Sequence, residues 1–166
     1  MFVIDKASFY LNDRASAFSL VLTGMLIFSG LGSMMEYRFE AAPGRAVRMA
    51  CGVTVLWCLL VGVGLEQAMM ATIQLPWIVR AALVLALVAP VSLALGLPFP
   101  LGLSRAGNGG MLPWAWGLNG AFSVVATPLA NLIARDAGFS RVLLCAAILY
   151  VIALLTFPAT RPVNKE

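Results

Sequence analysis

Residues 93–134 read LALGLPFPLGLSRAGNGGMLPWAWGLNGAFSVVATPLANLIA, and this stretch decides the fold. It holds two apolar segments of membrane-spanning quality, joined by a short connection rich in Gly and Pro. Pro98 and Pro100 break the first segment, because each ring removes a backbone donor and turns the residue before it away from the α conformation. Pro113 suits the first turn of the next helix, where a missing N–H leaves nothing unpaired. Along that helix Asn119, Ser123, Thr127 and Asn131 recur every four residues. This spacing sets one polar stripe on an otherwise apolar rod.

The rest of the chain is of the same kind. It is 61% hydrophobic and 11% charged, with mean hydropathy +0.95, whereas soluble domains are roughly a quarter charged. The expected fold class is therefore all-α, a multi-pass transmembrane helix bundle forming a single membrane domain over 1–166. Uncharged runs predict about five spanning helices, near 15–35, 46–66, 78–98, 113–134 and 139–158. Each approaches the ~20 residues that cross ~30 Å of hydrocarbon at 1.5 Å per residue. In lipid each must be helical, since unpaired backbone groups there cost several kcal/mol apiece. The second run is the shortest, and it gains length if Arg48 snorkels to the interface. Residues 67–77 are expected as a connection that touches the membrane surface through Met69, Met70 and Ile73. Residues 1–14 are amphipathic, interrupted by Asp5, Lys6, Asp13 and Arg14. They lack the apolar core and cleavage site of a secretory signal and suit an interfacial lead-in.

Three blocks of the sequence carry a resemblance. Residues 98–103 (PFPLGL), residues 113–120 (PWAWGLNG) and residues 28–33 (FSGLGS) resemble the membrane region of spermidine-synthase-like integral membrane proteins. The resemblance runs from about Phe9 to Leu155. It implies a multi-helix membrane region of a kind that is typically fused to a soluble aminopropyltransferase-like domain and has itself been likened to half of a transporter fold. It also implies further sequence on the amino-terminal side in longer relatives, so that this chain is expected to be a fragment, the product of a split gene, or a shortened relative. None of the three blocks is catalytic.

Several function classes are excluded by the residues themselves. The net charge of +4 does not indicate nucleic-acid binding, because the basic residues stand singly between apolar runs and form no patch. Cys51, Cys58 and Cys145 all lie in apolar runs without a C-x-x-C pair, and the chain has no histidine. A zinc site or Cys–His nucleophile is not expected, and neither metal nor cofactor is assigned. The glycines of residues 28–33 lack the preceding strand, third glycine and downstream acid of a dinucleotide fingerprint. Gly24, Ser29, Gly32 and Ser33 are instead expected to let a neighbouring helix approach closely. Residues 107–110 (GNGG) are expected as a flexible turn, with no P-loop Lys after them.

Pro90 and Pro128 lie inside the third and fourth spans, where each frees a carbonyl, on Ala86 and Val124, and bends its helix. Such bends occur at transporter midplane sites and also in bundles that transport nothing. The stripe Asn119, Ser123, Thr127, Asn131 must face protein or water, as interhelical glue or as the lining of a path for a small polar or cationic solute. No Asp or Glu lies inside a span, since Glu36, Glu40, Glu66 and Asp136 all belong to the span ends, and this weighs against a polyamine or ion path.

Loop charge is nearly balanced. Lys6, Arg14, Arg80, Arg135 and Arg141 fall on the side of the amino terminus, and Arg38, Arg45, Arg48, Arg105, Arg161 and Lys165 on the other. The dense cluster at residues 38–48 favours a cytoplasmic carboxyl terminus in a bacterial cytoplasmic (inner) membrane. The reading is a non-enzymatic membrane domain that anchors or partners a soluble aminopropyltransferase-like domain supplied elsewhere. The alternative is a small transporter-like bundle that works as an oligomer. The partners implied are the lipid bilayer, a protein or missing soluble domain, and a second copy of the chain.

Overall fold

The computed structural model describes residues 2–39, 41–106 and 111–157. The turn expected at residues 107–110, Glu40, and residues from 158 onward, including Arg161 and Lys165, lie outside the described residues. Everything regular in the described chain is helical. The helices are α1 (Phe2–Leu11), α2 (Arg14–Met34), α3 (Pro43–Thr72), α4 (Trp77–Leu95), α5 (Pro98–Ala106), α6 (Met111–Ala137) and α7 (Phe139–Thr156), with a 3-10 turn at Met35–Phe39. Five of them, α2, α3, α4 (running on to Leu103), α6 and α7, are long and apolar enough to cross a membrane. The protein is an integral, multi-pass membrane protein.

Local chemistry explains most of the helix ends. Asn12 turns the chain between α1 and α2 at φ 54°, a left-handed conformation that its short side chain tolerates. Asp13 then caps α2. Its carboxylate accepts from the backbone N–H of Ala15 at 3.0 Å and of Ser16 at 3.1 Å, and from the Ser16 hydroxyl at 2.5 Å. These donors, with the Ser16 hydroxyl foremost, hold the Asp13 carboxyl below its ordinary value by favouring its charged form. Pro43 opens α3 in the first turn, where its ring is pre-set for helix. Gly138 alone connects α6 to α7, at φ 83° and ψ 162°. That region of backbone space is almost closed to residues with a Cβ.

Three boundaries depart from the sequence expectation. Residues 67–72 continue α3 instead of forming a connection, because no proline intervenes before Pro76 and Gln67, Met69 and Met70 are good helix formers. At 30 residues α3 is about 45 Å long, so it overruns the hydrocarbon or tilts within it. The break at Pro98 is present, but the chain at once resumes as α5, with Pro98 and Pro100 in its first turn, where neither ring removes a needed bond. The lead-in is a packed helix. It forms α1, which packs against α2 and α4 with Ala7, Tyr10 and Leu11 buried.

Neighbours in space are not neighbours in sequence. The two largest interfaces are α2 with α4 and α3 with α7, while α3 also packs on α4 and α6 leans on α7. The spans therefore run in the order α2, α4, α3, α7, α6, with α2 and α6 at the outer edges. One apolar cluster joins α1, α2 and α4 through Leu11, Val21 and Val88. A second joins the start of α3 to α5 and the end of α7 through Val47, Cys51, Leu101 and Leu154. A third joins mid-α3 to the start of α7 through Cys58, Val61 and Leu143. Phe2 stacks obliquely on Phe139, 5.5 Å between centroids, whereas Phe157 packs beside the Val47–Leu101 cluster. The described chain thus begins at one end of the bundle and finishes at the other.

Candidate functional site

The seam between α2 and α4 is built from glycines of both helices. A Cβ on Gly32 would fall on the carbonyl oxygen of Leu93 and within 3.0 Å of its carbon. A Cβ on Gly96 would fall on the carbonyl oxygen of Ser29 and 2.8 Å from the amide nitrogen of Ser33. Gly24 faces the end of the Leu85 side chain, at 2.5 Å from a built Cβ. The backbones of α2 and α4 therefore touch, as small residues allow in membranes. Gly24, Gly32, Ser29 and Ser33 all belong to this seam, the two serines through their main-chain atoms. Gly96 belongs to it equally. Sequence reading passed over Gly96 because it sits in the Gly- and Pro-rich connection, where a glycine reads as part of a turn. The Ser29 hydroxyl itself bonds back to Leu26 O at 3.2 Å.

Within α4, Pro90 leaves Ala86 O without its usual helical donor. One residue on, Trp57 of α3 donates its indole N–H to Leu87 O at 2.8 Å. A neighbouring helix thus supplies a donor at the level where the proline loosens the ladder. Ser92, one turn further up, is fully buried, and its Oγ has no partner among the described residues.

The stripe on α6 lies elsewhere. Asn119, Ser123, Thr127 and Asn131 are all exposed within a single chain, and none of the apolar window of α6 is buried. Partial cover on α6 is confined to two places. Ala115 lies near the Phe99–Trp116 edge contact (5.0 Å), and Ala130, Ile133 and Ala134 lie near the turn into α7. Two stripe hydroxyls are satisfied internally, Ser123 by Asn119 O at 2.7 Å and Thr127 by Ser123 O at 3.4 Å. The carboxamides of Asn119 and Asn131 have no hydrogen-bond partner among the described residues. Pro128 follows Thr127 inside the same helix. Among the described residues, the stripe borders neither of the two cavities that lie between the helices.

A cavity of about 360 Å³ opens between α1, α3 and α4, with walls that include Val3, Leu65, Met69, Leu83 and Leu87. The polar side chains in its lining, Lys6, Tyr10 and Thr72, are engaged. Lys6 pairs with Glu66 at 3.2 Å, and the Tyr10 hydroxyl meets Thr72 Oγ1 at 2.6 Å. Arg80 donates to Tyr10 O and stands 5.6 Å over the Tyr10 ring. This space suits an apolar group. The residues that build it come from α1 and from the extension of α3 past residue 66, two segments that read in the sequence as a surface lead-in and a connection. A second cavity of about 460 Å³ lies on the α2–α4 side, bordered by Ser16, Ser19, Thr23, Trp77 and Leu85.

Among the described residues no group of three His, Cys, Asp or Glu is placed to hold a metal ion. Comparison with known proteins gives no further constraint: no family model matches the chain, and neither the curated proteins nor the solved structures yield a match.

Proposed function

We propose that the chain is a non-catalytic membrane domain, resembling the membrane part of spermidine-synthase-like proteins, that anchors or partners a soluble aminopropyltransferase-like domain supplied elsewhere. One observation carries the reading. Polar side chains within the spans bond mainly to the bundle's own backbone: Thr54 to Ala50 O, Ser123 to Asn119 O, Thr156 to Ile152 O, and Trp57 to Leu87 O. Of the carboxylates, Asp13 is engaged in capping a helix and Glu66 in pairing with Lys6. Such a bundle serves as a scaffold that holds something else. The reading places it in a bacterial cytoplasmic membrane with the carboxyl terminus in the cytoplasm, on the strength of the basic cluster at residues 38–48.

The test is co-expression of the chain with a soluble aminopropyltransferase-like domain, followed by membrane fractionation. The soluble domain should move to the membrane fraction only when the chain is present, and purified chain given a sulfonium nucleoside donor and putrescine should form no spermidine. A domain that stays soluble beside well-expressed chain defeats the anchoring role. Uptake of labelled putrescine by liposomes containing the chain, above protein-free liposomes, would favour the transporter-like reading instead.

A further inference from the structure

We propose that the cavity between α1, α3 and α4 is a lipid site, and that its occupant is an anionic phospholipid of the leaflet on the amino-terminal side, with one acyl chain between the helices and its phosphate beside Lys6. The inference does not depend on the soluble partner proposed above.

The cavity lies across the boundary between hydrocarbon and headgroups. Residues 49–65 and 81–104 carry no charge, and Glu66 and Arg80 stand directly at the ends of these runs. On one side of that level the wall is formed by Leu83 and Leu87. Leu87 lies seven residues beyond Arg80, about 10 Å along α4 and well inside the hydrocarbon. On the other side the wall is formed by Met69 and Thr72, in the part of α3 that continues past Glu66. A space that spans both levels suits an amphiphile, with its tail in the inner part and its head at the outer.

The medium supplies the occupant. At about 360 Å³ the cavity falls within the range of small-molecule sites, ~300–1,000 Å³. Apolar cavities stay dry, and an empty one leaves its wall atoms without contacts on one side. Ala68, Leu83 and Ala86 of the wall are exposed within the chain, so the space is open. What meets an opening between spans in a bilayer is an acyl chain.

The charges at the outer part select the head. Lys6 gives one of its three N–H groups to Glu66, at 3.2 Å, which leaves two for a further acceptor. Arg80 stands over the Tyr10 ring, and its Nε is buried with no partner among the described residues. Two cations are thus set against the one carboxylate of Glu66. The excess of positive charge complements a phosphate, and Lys or Arg at the membrane surface draws anionic lipid.

The test is native mass spectrometry of the full chain released from liposomes of equal parts phosphatidylglycerol and phosphatidylcholine. The chain should keep one phospholipid, with phosphatidylglycerol in excess of its share of the bilayer. Ala68→Phe together with Ala86→Phe fills the space and should abolish retention. Ala82→Phe, exposed on α4 but outside the cavity, should leave it intact. Lys6→Gln and Glu66→Gln both break the ion pair, yet they should move the preference in opposite directions. Lys6→Gln should shift it about fivefold toward phosphatidylcholine, the effect of one lysine charge at an anionic surface, and Glu66→Gln should shift it toward phosphatidylglycerol. Loss of local structure alone would move both the same way. In the unmodified chain, phosphatidylglycerol with a photoreactive group in its acyl chain should label Leu83, Leu87 or Met69 saturably. The proposal is overturned by a wild-type chain that keeps no phospholipid, by undiminished retention in a folded Ala68→Phe, Ala86→Phe variant, or by parallel shifts in the two ion-pair variants. Labelling that never saturates, or that is confined to the cavity on the α2–α4 side, would overturn it as well.

Discussion

Replacing Gly32 by Ala tests the seam on which the bundle's largest interface depends. The added methyl would collide with the carbonyl of Leu93, which is backbone and cannot turn aside. Carbon and oxygen need more than 3 Å between them, so α2 and α4 must separate by roughly 1 Å at their crossing, and contacts along the seam then lose a quarter to a half of their attraction. Overpacking of this kind costs about 1–3 kcal/mol, and here the upper part of that range applies because both colliding groups are main chain. The better helix propensity of Ala returns up to ~1 kcal/mol, leaving a net loss of about 1–2 kcal/mol. Gly30 provides the control on the same helix, since a Cβ there meets nothing within 4 Å. Gly30→Ala should be neutral or stabilising by up to ~1 kcal/mol. Thermal unfolding of the two variants in one detergent should therefore separate them by about 2–3 kcal/mol, with Gly32→Ala the weaker. A Gly32→Ala protein that melts at or above Gly30→Ala would refute the contact between the two backbones.

Other expectations follow from single features. Gly138→Ala should destabilise by about 1–3 kcal/mol without touching any packed group, because only the backbone conformation at φ 83° opposes it; an unchanged midpoint in the same melt counts against a one-residue joint. The Asp13 carboxyl is held below its ordinary value in the folded state, so the stability it adds is complete above its unfolded value of about 3.9. That stability is lost as acid takes the pH down through the lowered folded value. Asp13→Ala should thus lower the melting temperature at neutral pH, with the difference from wild type closing in strong acid, and a pH-independent difference would contradict the cap. Trp57→Phe removes the donor to Leu87 O and should cost about 0.5–1.5 kcal/mol, measured by unfolding, whereas Trp77→Phe, at an exposed position, should cost little. Reporters sensitive to the periplasm, fused at Met1 and after Glu166, should give opposite signals for an odd number of spans, and equal signals would reject five.

The number and type of the spans could be read from run length and composition, because lipid leaves an uncharged run of such length only one backbone solution. The neighbours of each span could not be read. Nothing in the apolar composition of α2 distinguishes α4 from α3 as its partner, and the choice is made where Gly32 and Gly96 face opposing carbonyls. Gly32 could be recognised as a packing residue inside a span, whereas Gly96 was hidden among the residues that end one. The extension of α3 to Thr72 was missed because Gln67 and Glu66 look like a span boundary, although helix can persist beyond the membrane surface. On α6 the four-residue spacing placed Asn119, Ser123, Thr127 and Asn131 on one face. Spacing identifies a face but not what lies opposite it, so the exposure of that face could come only from the packing of the whole chain.

The one-residue joint at Gly138 bears on how the protein enters the membrane. α6 is the least apolar of the five spans, and α7, joined to it by Gly138 alone, is among the more apolar. With no slack between them, neither helix can sit across the bilayer while the other waits in water at a distance. The pair must partition together as a helical hairpin, with the strong hydrophobic preference of α7 carrying its more polar neighbour into the lipid. The charged groups Arg135, Asp136 and Arg141 cluster at the hairpin's tip, so they cross or stay as a unit. The insertion of α6 is in this sense delegated to α7, and a chain ended after Ala137 should leave the stripe-bearing helix poorly inserted.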